Sequence, residues 1–160
     1  MSITQEQFRA ALSRFASGVT VVTTKDAGGS LHGITVSAFC SVSLSPPMVL
    51  ICIEQSTGSH NAFRESGFFV VNVLGSNQKE ISERFASQMT EKFERVELTL
   101  NLDGVPVLSG CLATLECRVK HAFEGGDHSI FIGEVEHCQV ADGDPLIYFR
   151  SDYRAVVELP

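Results

Sequence analysis

Hydroxyl side chains recur on one side of the segment from Gly33 to Leu44, whose residues alternate as in a β-strand. A buried hydroxyl without a partner costs about 1–3 kcal/mol, so such a row needs solvent, neighbouring backbone or a polar ligand. The alternation by itself favours an amphipathic strand over a binding site. Phe39 lies on the same side and would then be an exposed aromatic, which keeps the ligand interpretation open. The four hydroxyls belong to Thr35, Ser37, Ser41 and Ser43.

Three histidines lie on or near two adjacent predicted strands, which makes a metal site conceivable. Their spacing matches no compact ligand pattern, and no set of Asp, Glu or Cys surrounds them in the sequence, so we predict no metal ion. The sequence also lacks a G-x-G-x-x-G turn, a G-x-x-x-x-G-K-[ST] loop and an H-E-x-x-H helix. These common motifs therefore do not identify the chemistry. The three histidines are His121, His128 and His137.

The sequence contains five cysteines, an odd number, and no two of them have C-x-x-C spacing. Three stand inside apolar runs typical of strands. We therefore predict buried, reduced, structural thiols rather than redox or metal-binding ones. The cysteines are Cys40, Cys52, Cys111, Cys117 and Cys138.

Composition predicts a single cytoplasmic domain spanning residues 1–160. The net charge is −7, and there is no basic cluster, which argues against nucleic acid as a main partner. No run of about 18 apolar residues occurs, so we expect no membrane span. The N-terminal residues lack the basic start and apolar run of a signal peptide, which favours the cytoplasm.

The periodicity predicts a few short helices among many strands. A capping box at Thr4 and Gln7 opens a helix that extends to about Ala16. Further helices are predicted from Ser59 to Glu65 and from Ser76 or Asn77 to Ala86, followed by a polar, irregular surface excursion over residues 87–103. Strands are predicted at about 18–24, 31–44, 48–53 (fully buried), 68–74, 112–123, 129–140, 146–149 and 153–159. Many strands joined by short turns indicate an antiparallel barrel rather than a doubly wound parallel sheet.

The segment 33–47, GITVSAFCSVSLSPP, resembles the signature of the short-chain flavin reductases. These are the reductase components of two-component flavin-dependent monooxygenases, such as the phenol and 4-hydroxyphenylacetate systems. Further matches follow in the same order and cover nearly the whole chain, and the ordered set is highly specific. They are RFASGVTVVTT at 14–24, FVVNVL at 69–74, RFA at 84–86, GDH at 126–128 and PLIYF at 145–149.

The resemblance implies a mainly β fold, an antiparallel split β-barrel of Greek-key type with a few short flanking helices. It implies FMN or FAD as cofactor and NADH or NADPH as reductant. It further implies a homodimer with the flavin near the subunit interface, and a flavin-dependent monooxygenase as the partner that accepts reduced flavin.

The same resemblance implies where the cofactors bind. It assigns flavin contacts to the hydroxyl segment and to a turn that matches less closely. It also places one loop near the flavin phosphate and two residues beside the nicotinamide. The flavin residues are Thr35, Ser37, Ala38, Ser41, Val42, Ser43, Thr57, Ser59 and His60; the phosphate loop is Arg84, Phe85 and Ala86; the nicotinamide-side residues are His128 and Tyr153.

The residues themselves allow other interpretations of three of these assignments. Arg84 also suits a solvated helix position, His128 a hairpin cap and Tyr153 a packed barrel aromatic. Hydride transfer between two stacked rings needs orientation more than acid–base groups, which agrees with the lack of any visible catalytic triad or carboxylate pair. A tightly FMN-binding electron carrier, or a flavin-dependent reductase of ferric iron or a corrinoid, remains an alternative. The Gly126-Asp127-His128 turn favours nicotinamide use and hence the enzyme.

Overall fold

Strands predominate within residues 2–158, which the computed structural model describes, and the helices there are short. The helices are α1 (Gln5–Leu12), α2 (His60–Ser66) and α3 (Lys79–Ala86), with a 3₁₀ turn at Ser76–Gln78. The strands are β1 (Ser17–Gly18), β2 (Thr20–Lys25), β3 (Leu31–Val36), β4 (Phe39–Leu44), β5 (Pro47–Glu54), β6 (Phe68–Val73), β7 (Leu98–Leu100), β8 (Pro106–Leu108), β9 (Ala113–Gly125), β10 (His128–Val140), β11 (Ile147–Phe149) and β12 (Asp152–Arg154).

Seven strands form one antiparallel sheet in the order β3-β2-β6-β9-β10-β5-β4. Its two edge strands, β3 and β4, are consecutive along the chain and are joined only by Ser37 and Ala38. Three Cα–Cα steps of about 3.8 Å hold Val36 within about 11 Å of Phe39. The sheet must therefore curl until its two edges approach each other. The predicted mainly β, antiparallel class is confirmed.

The inner face of the curled sheet carries the larger apolar core. Alternate residues of β5, namely Val49, Ile51 and Ile53, are buried in it, and Phe63 of α2 packs against Phe131 of β10 with ring centroids 6.2 Å apart. The outward-facing residues of β5 are only half-buried. The prediction of a fully buried strand is therefore wrong for the outward face of β5. Only its inward face packs against the core.

The segment from Gly33 to Leu44 is not the single alternating strand that the pattern predicts. It breaks between β3 and β4, and a register shift between Ser41 and Ser43 interrupts β4. Ser41 pairs with the inward-facing Val49, whereas Ser43 pairs with the outward-facing Met48. Cross-strand partners share a face, so these two hydroxyls point to opposite sides of the sheet.

The prediction of a polar, irregular surface excursion over residues 87–103 is also wrong in part. Phe93 packs edge-on against the buried Phe85 of α3, with ring centroids 5.0 Å apart. Val96 and Leu98 join the same apolar cluster, and β7 pairs with β8. These apolar residues follow neither the helical nor the strand period, so the hydrophobic pattern could not reveal their packing.

The capping box of α1 is confirmed, because the Thr4 hydroxyl accepts from the Gln7 amide and the Gln7 side chain accepts from the Thr4 amide. The helix ends at Leu12 rather than near Ala16. None of its residues is buried, so no tertiary packing favours an extra turn. At its end the Ser13 hydroxyl donates to the Ala10 carbonyl.

The prediction of buried thiols is wrong for three of the five. All five cysteines are free, and Cys111 and Cys117 are buried. Cys40 and Cys138 are exposed, and Cys52 of β5 is half-buried. Conversely, Phe39 packs against the main core rather than facing solvent.

The last strand, β12, ends at Arg154, although the pattern predicts a strand from Tyr153 to Leu159; Leu159 lies outside the described residues.

No helix among residues 2–158 is both long and apolar enough to cross a membrane. The cytoplasmic location and the single domain stay predictions.

Asn72 of β6 joins three strands in the fully buried interior. Its side-chain amide donates to the Val21 carbonyl of β2 at 2.9 Å, and its Oδ1 accepts from the Leu108 amide of β8 at 2.8 Å. The Leu108 amide would lose the partner that the structure shows for it if this side chain were removed.

Replacing Asn72 by Ala should therefore lower the free energy of unfolding by about 2–4 kcal/mol, since buried backbone groups without partners are costly. Urea denaturation followed by circular dichroism measures the change. Asn61→Ala, at an exposed position of α2, serves as the matched control and should change the free energy of unfolding by less than about 0.5 kcal/mol. A similarly small loss for Asn72→Ala would contradict the role given to Asn72.

Candidate functional site

A groove of about 840 Å³ lies between three parts of the chain. Its walls are β3 with the turn before it, the turn after β5, and the segment that leads out of α3. The lining residues are 30–35, 54, 56–59, 85–90 and 92–93. Five of the predicted cofactor-binding residues line it: Thr35, Thr57, Ser59, Phe85 and Ala86.

The free edge of β3 forms one wall of the groove. Within the described residues β3 pairs only with β2, so every second residue directs its N–H and C=O away from the sheet. The Gly33 carbonyl accepts from Lys92 and therefore points to this free edge. Leu31 and Thr35 share that direction. The wall thus offers backbone donors and acceptors to a ligand.

Gly33 is required at this wall because α3 and the following segment approach it closely. A Cβ atom there would lie 2.6 Å from Cε1 of Phe85 and 3.1 Å from Cζ of Phe93. Atoms at the first distance overlap, so a side chain would push the two rings apart. Glycine therefore allows an aromatic pair to form the base of the groove.

Hydroxyl groups line the turn after β5. Ser56 Oγ donates to Oε1 of Glu54 at 2.7 Å, and Thr57 Oγ1 donates to the Glu54 carbonyl at 2.9 Å. Thr35 Oγ1 donates to the Ser82 carbonyl of α3 at 2.6 Å. Each of these oxygens keeps lone pairs with which it can accept a hydrogen bond from a ligand.

Lys92 was not predicted as a site residue, although it lines the groove. Its Nζ donates to the Phe85 carbonyl at 2.9 Å and to the Gly33 carbonyl at 3.4 Å. Partial burial lowers the pKa of this ammonium group. Lys92 stands in the segment that looked like a polar excursion, and a lone lysine there carries no sequence signal.

His32 also lines the groove and was not predicted. Its Nε2 lies 3.1 Å from Oδ2 of Asp26, across the turn between β2 and β3. The hydrogen bond with His32, followed by that from the Ser30 amide, lowers the pKa of Asp26. The carboxylate therefore holds the imidazole ring in place at one end of the groove.

Five of the predicted flavin residues do not line this groove. They lie on the two-residue link and on β4, at the opposite edge of the sheet, and all but Ser43 are exposed. The link follows Val36, the residue after Thr35, and the Ala38 carbonyl accepts from the Cys52 amide of β5. These residues are Ser37, Ala38, Ser41, Val42 and Ser43, and their role in flavin binding stays a prediction.

Three further predicted residues point elsewhere. His60 is buried, with Nε2 2.8 Å from Ser129 Oγ. Arg84 donates from Nη1 to the Glu94 carbonyl at 2.9 Å. The Tyr153 hydroxyl lies 2.8 Å from the hydroxyl of Ser82. None of the three lines the groove, and their cofactor roles stay predictions.

His128 begins β10 beside the groove. It is the cross-strand partner of the lining residue Glu54, and its Nδ1 lies 2.7 Å from Oδ1 of Asp127. The hydrogen bond with His128 lowers the pKa of Asp127. The imidazole is 41% exposed and therefore accessible to a ligand, but His128 itself is not among the lining residues of the groove.

Residues 2–158 contain no group of three His, Cys, Asp or Glu side chains that could hold a metal ion. His121, His128 and His137 do not come together in such a group within that part of the chain. The groove combines an aromatic base, a backbone edge, several hydroxyls and a lysine. Such a lining suits a flat polar ring with an anionic tail.

A family model for the flavin reductase like domain matches residues 12–157. The FMN reductase (NADH) SmoA of Agrobacterium fabrum is 43% identical over 141 residues, which cover 88% of this chain and 80% of that protein. The reductase component of 4-nitrophenol 4-monooxygenase/4-nitrocatechol 2-monooxygenase of Rhodococcus opacus is 41% identical over 147 residues, which cover 92% and 78%.

A solved structure is also similar. Streptomyces globisporus C-1027 NADH:FAD oxidoreductase SgcE6, in complex with NAD and FAD fragments, superposes with a TM-score of 0.91 at 34% identity. The superposition covers 96% of this chain and 93% of that one. A further curated relative, from Rhizobium meliloti, is about twice as long, and this chain covers 47% of its length.

Proposed function

Since the chain belongs to the flavin reductase like family, we propose that it is an NAD(P)H:flavin oxidoreductase that reduces FMN or FAD. The observation that carries the proposal is the family match from residue 12 to 157, which includes all three walls of the groove. A bound flavin supplies the redox chemistry, because its ring system accepts a hydride from reduced nicotinamide. The chain's own task is to bind and orient the two rings.

The groove fits a flavin in size and in chemistry. Its volume of about 840 Å³ lies in the usual range of small-molecule and cofactor sites, about 300–1,000 Å³. The free edge at Gly33 and Thr35 offers N–H and C=O groups for a ring edge that both accepts and donates hydrogen bonds. The half-buried Phe93 offers apolar contact area.

We assign the reductant's side of the site to His128. It lies one strand away from Glu54 in the groove wall, on a tight turn at the end of the β9–β10 hairpin. Its imidazole can stack on a nicotinamide ring or donate to the carboxamide. Neither role needs a strong acid, since hydride transfer itself moves no proton from the protein.

A monooxygenase is the proposed consumer of the reduced flavin. The Rhodococcus opacus relative is the reductase component of a monooxygenase, and similarity to it covers 92% of this chain. Reduced flavin produced by this chain would then be used by a separate oxygenase component.

We further propose a split barrel that pairs with a second copy. The two-residue link between the sheet edges supports the barrel, because it brings β3 and β4 together. The outward face supports the pairing, because its cross-strand neighbours are apolar and incompletely covered. They are Leu50, Cys52, Ile130, Ile132 and Phe123.

Sedimentation equilibrium should therefore give twice the chain mass of 17.4 kDa at micromolar concentration with flavin present. Ile130→Lys, which places a charge in the outward face, should shift the mass toward the monomer because a buried unpaired charge is costly. A monomer mass for the unaltered protein would contradict the proposed dimer.

Steady-state oxidation of NADH tests the activity itself. The rate should rise from near zero to a saturable maximum as free FMN or FAD is added, because the flavin is a substrate that leaves. Turnover with each flavin and with NADH or NADPH, in all four combinations, identifies the preferred pair. A purified protein that is yellow but does not turn over would support the electron carrier instead. Turnover only with ferric iron or a corrinoid would support the third alternative.

His128→Ala should lower kcat/KM for the reduced nicotinamide about five- to a hundredfold, which corresponds to one well-placed polar contact. The affinity for flavin should stay near normal. Stopped-flow reduction of prebound flavin measures this step, and His137→Ala, at an exposed position on the same strand, is the control. An unaltered rate across all NADH concentrations would leave His128 as a hairpin residue only.

A further inference from the structure

A second cavity, of about 300 Å³, lies apart from the groove and shares no lining residue with it. It lies between the β7–β8 hairpin, the turn after that hairpin, and the part of the sheet where β9 begins and β10 ends. A cavity of about 150 Å³ is enough to hold benzene, so one substituted ring fits here. The lining residues are 99, 107–111, 114 and 139–141.

Thr114 of β9 brings an unpartnered hydroxyl to this cavity. The residue is 6% exposed, and its Oγ1 has no hydrogen-bond partner within residues 2–158. Thr114 lies opposite Asn72 on one side and Gln139 on the other, and cross-strand partners share a face of the sheet. Asn72 accepts from the Leu108 amide, so this is the face that the hairpin covers. The Thr114 side chain therefore lies on the cavity side, and rotation about its Cα–Cβ bond can turn the hydroxyl toward a ligand.

The other buried threonines of the described chain show how unusual this hydroxyl is. Thr20, Thr23 and Thr24 are buried to a similar or greater degree, and each donates from Oγ1 to a backbone carbonyl. A buried hydroxyl without a partner is unfavourable, because it loses its hydrogen bonds to water and gains none. Thr114 thus has a hydrogen-bonding capacity that the described residues leave unused.

The chemistry of the lining favours an uncharged ligand. None of the lining residues that the structure describes is Asp, Glu, Lys, Arg or His, so an ion would find no opposite charge there. Burial raises the pKa of the Cys111 thiol to about 11, and the thiol is therefore neutral near pH 7. Val107, Leu108 and Val140 supply apolar contact. Such a lining suits an apolar body with a single polar group.

We propose that this cavity binds a small uncharged organic molecule, a single apolar ring that carries one hydroxyl group, and that this group pairs with Thr114. The inference goes beyond the proposed function, because the cavity is separate from the groove and His128 does not line it. Its test therefore needs neither flavin nor nicotinamide.

Phenol and toluene are the two probes, since both carry the same ring and only phenol carries a hydroxyl. Titration of the ¹⁵N-labelled full chain, followed by NMR, locates each probe from the amide signals that move and gives its dissociation constant. The amides of residues 107–111 and 139–141 should move with phenol. Thr114→Val should weaken phenol binding about three- to tenfold, the loss expected for one neutral hydrogen bond, and leave toluene binding within about twofold.

The melting temperature of the same variant gives a second, independent readout. Thr114→Val should leave it unchanged or raise it, because a methyl group replaces a hydroxyl that has no partner. Thr24→Val is the matched control, since it removes a buried hydroxyl that donates to the Phe68 carbonyl at 2.7 Å. That change should lower the melting temperature by about 2–6 °C and alter neither dissociation constant.

Gln139→Trp tests the site if Thr114→Val does not fold. Gln139 is exposed, lines the cavity and lies opposite Thr114, so a large ring there should fill the cavity and weaken binding of both probes. The proposal is overturned if phenol moves none of the lining amides, if it moves only those of the groove, or if Thr114→Val binds phenol as the unaltered protein does. A melting temperature that falls as far in Thr114→Val as in Thr24→Val would show that trapped water already serves this hydroxyl, which would also overturn it.

Discussion

The two-residue link between β3 and β4 is the constraint on which the rest of the structure depends. Ser37 and Ala38 join opposite edges of a seven-stranded antiparallel sheet, so the sheet has to curl. Curling encloses the larger core on the inner face, and it leaves β3 unpaired on its outer edge within the described chain. An unpaired strand edge is a row of hydrogen-bonding groups, and here that row forms a wall of the groove.

Close packing around Gly33 completes the site. Because a glycine lies at this point, Phe85 and Phe93 can approach the strand backbone, and the segment after α3 can fold over its edge. Lys92 then reaches the Gly33 and Phe85 carbonyls from that segment. The same contacts that secure the segment also place a cation in the groove.

This architecture suits a reaction in which orientation does most of the catalytic work. Flavin and nicotinamide exchange a hydride between their own rings, and a protein contributes by holding both at the right distance. The groove provides a backbone edge, hydroxyls and aromatic surface, and His128 lies at its end across from Glu54. Family membership and groove chemistry thus support the same proposed activity.

The sequence by itself determined the mainly antiparallel fold, the capping box of α1, most strand positions and the family, because periodicity and ordered motifs are local properties of the chain. It also placed Thr35, Thr57, Ser59, Phe85 and Ala86 in a site where the structure has a groove. Only the tertiary structure decided that the hydroxyl segment divides between two sheet edges, that His60 is buried, and that Lys92 rather than Arg84 lines the groove. Those outcomes depend on a strand break, a register shift and packing between segments distant in sequence, which no local pattern encodes.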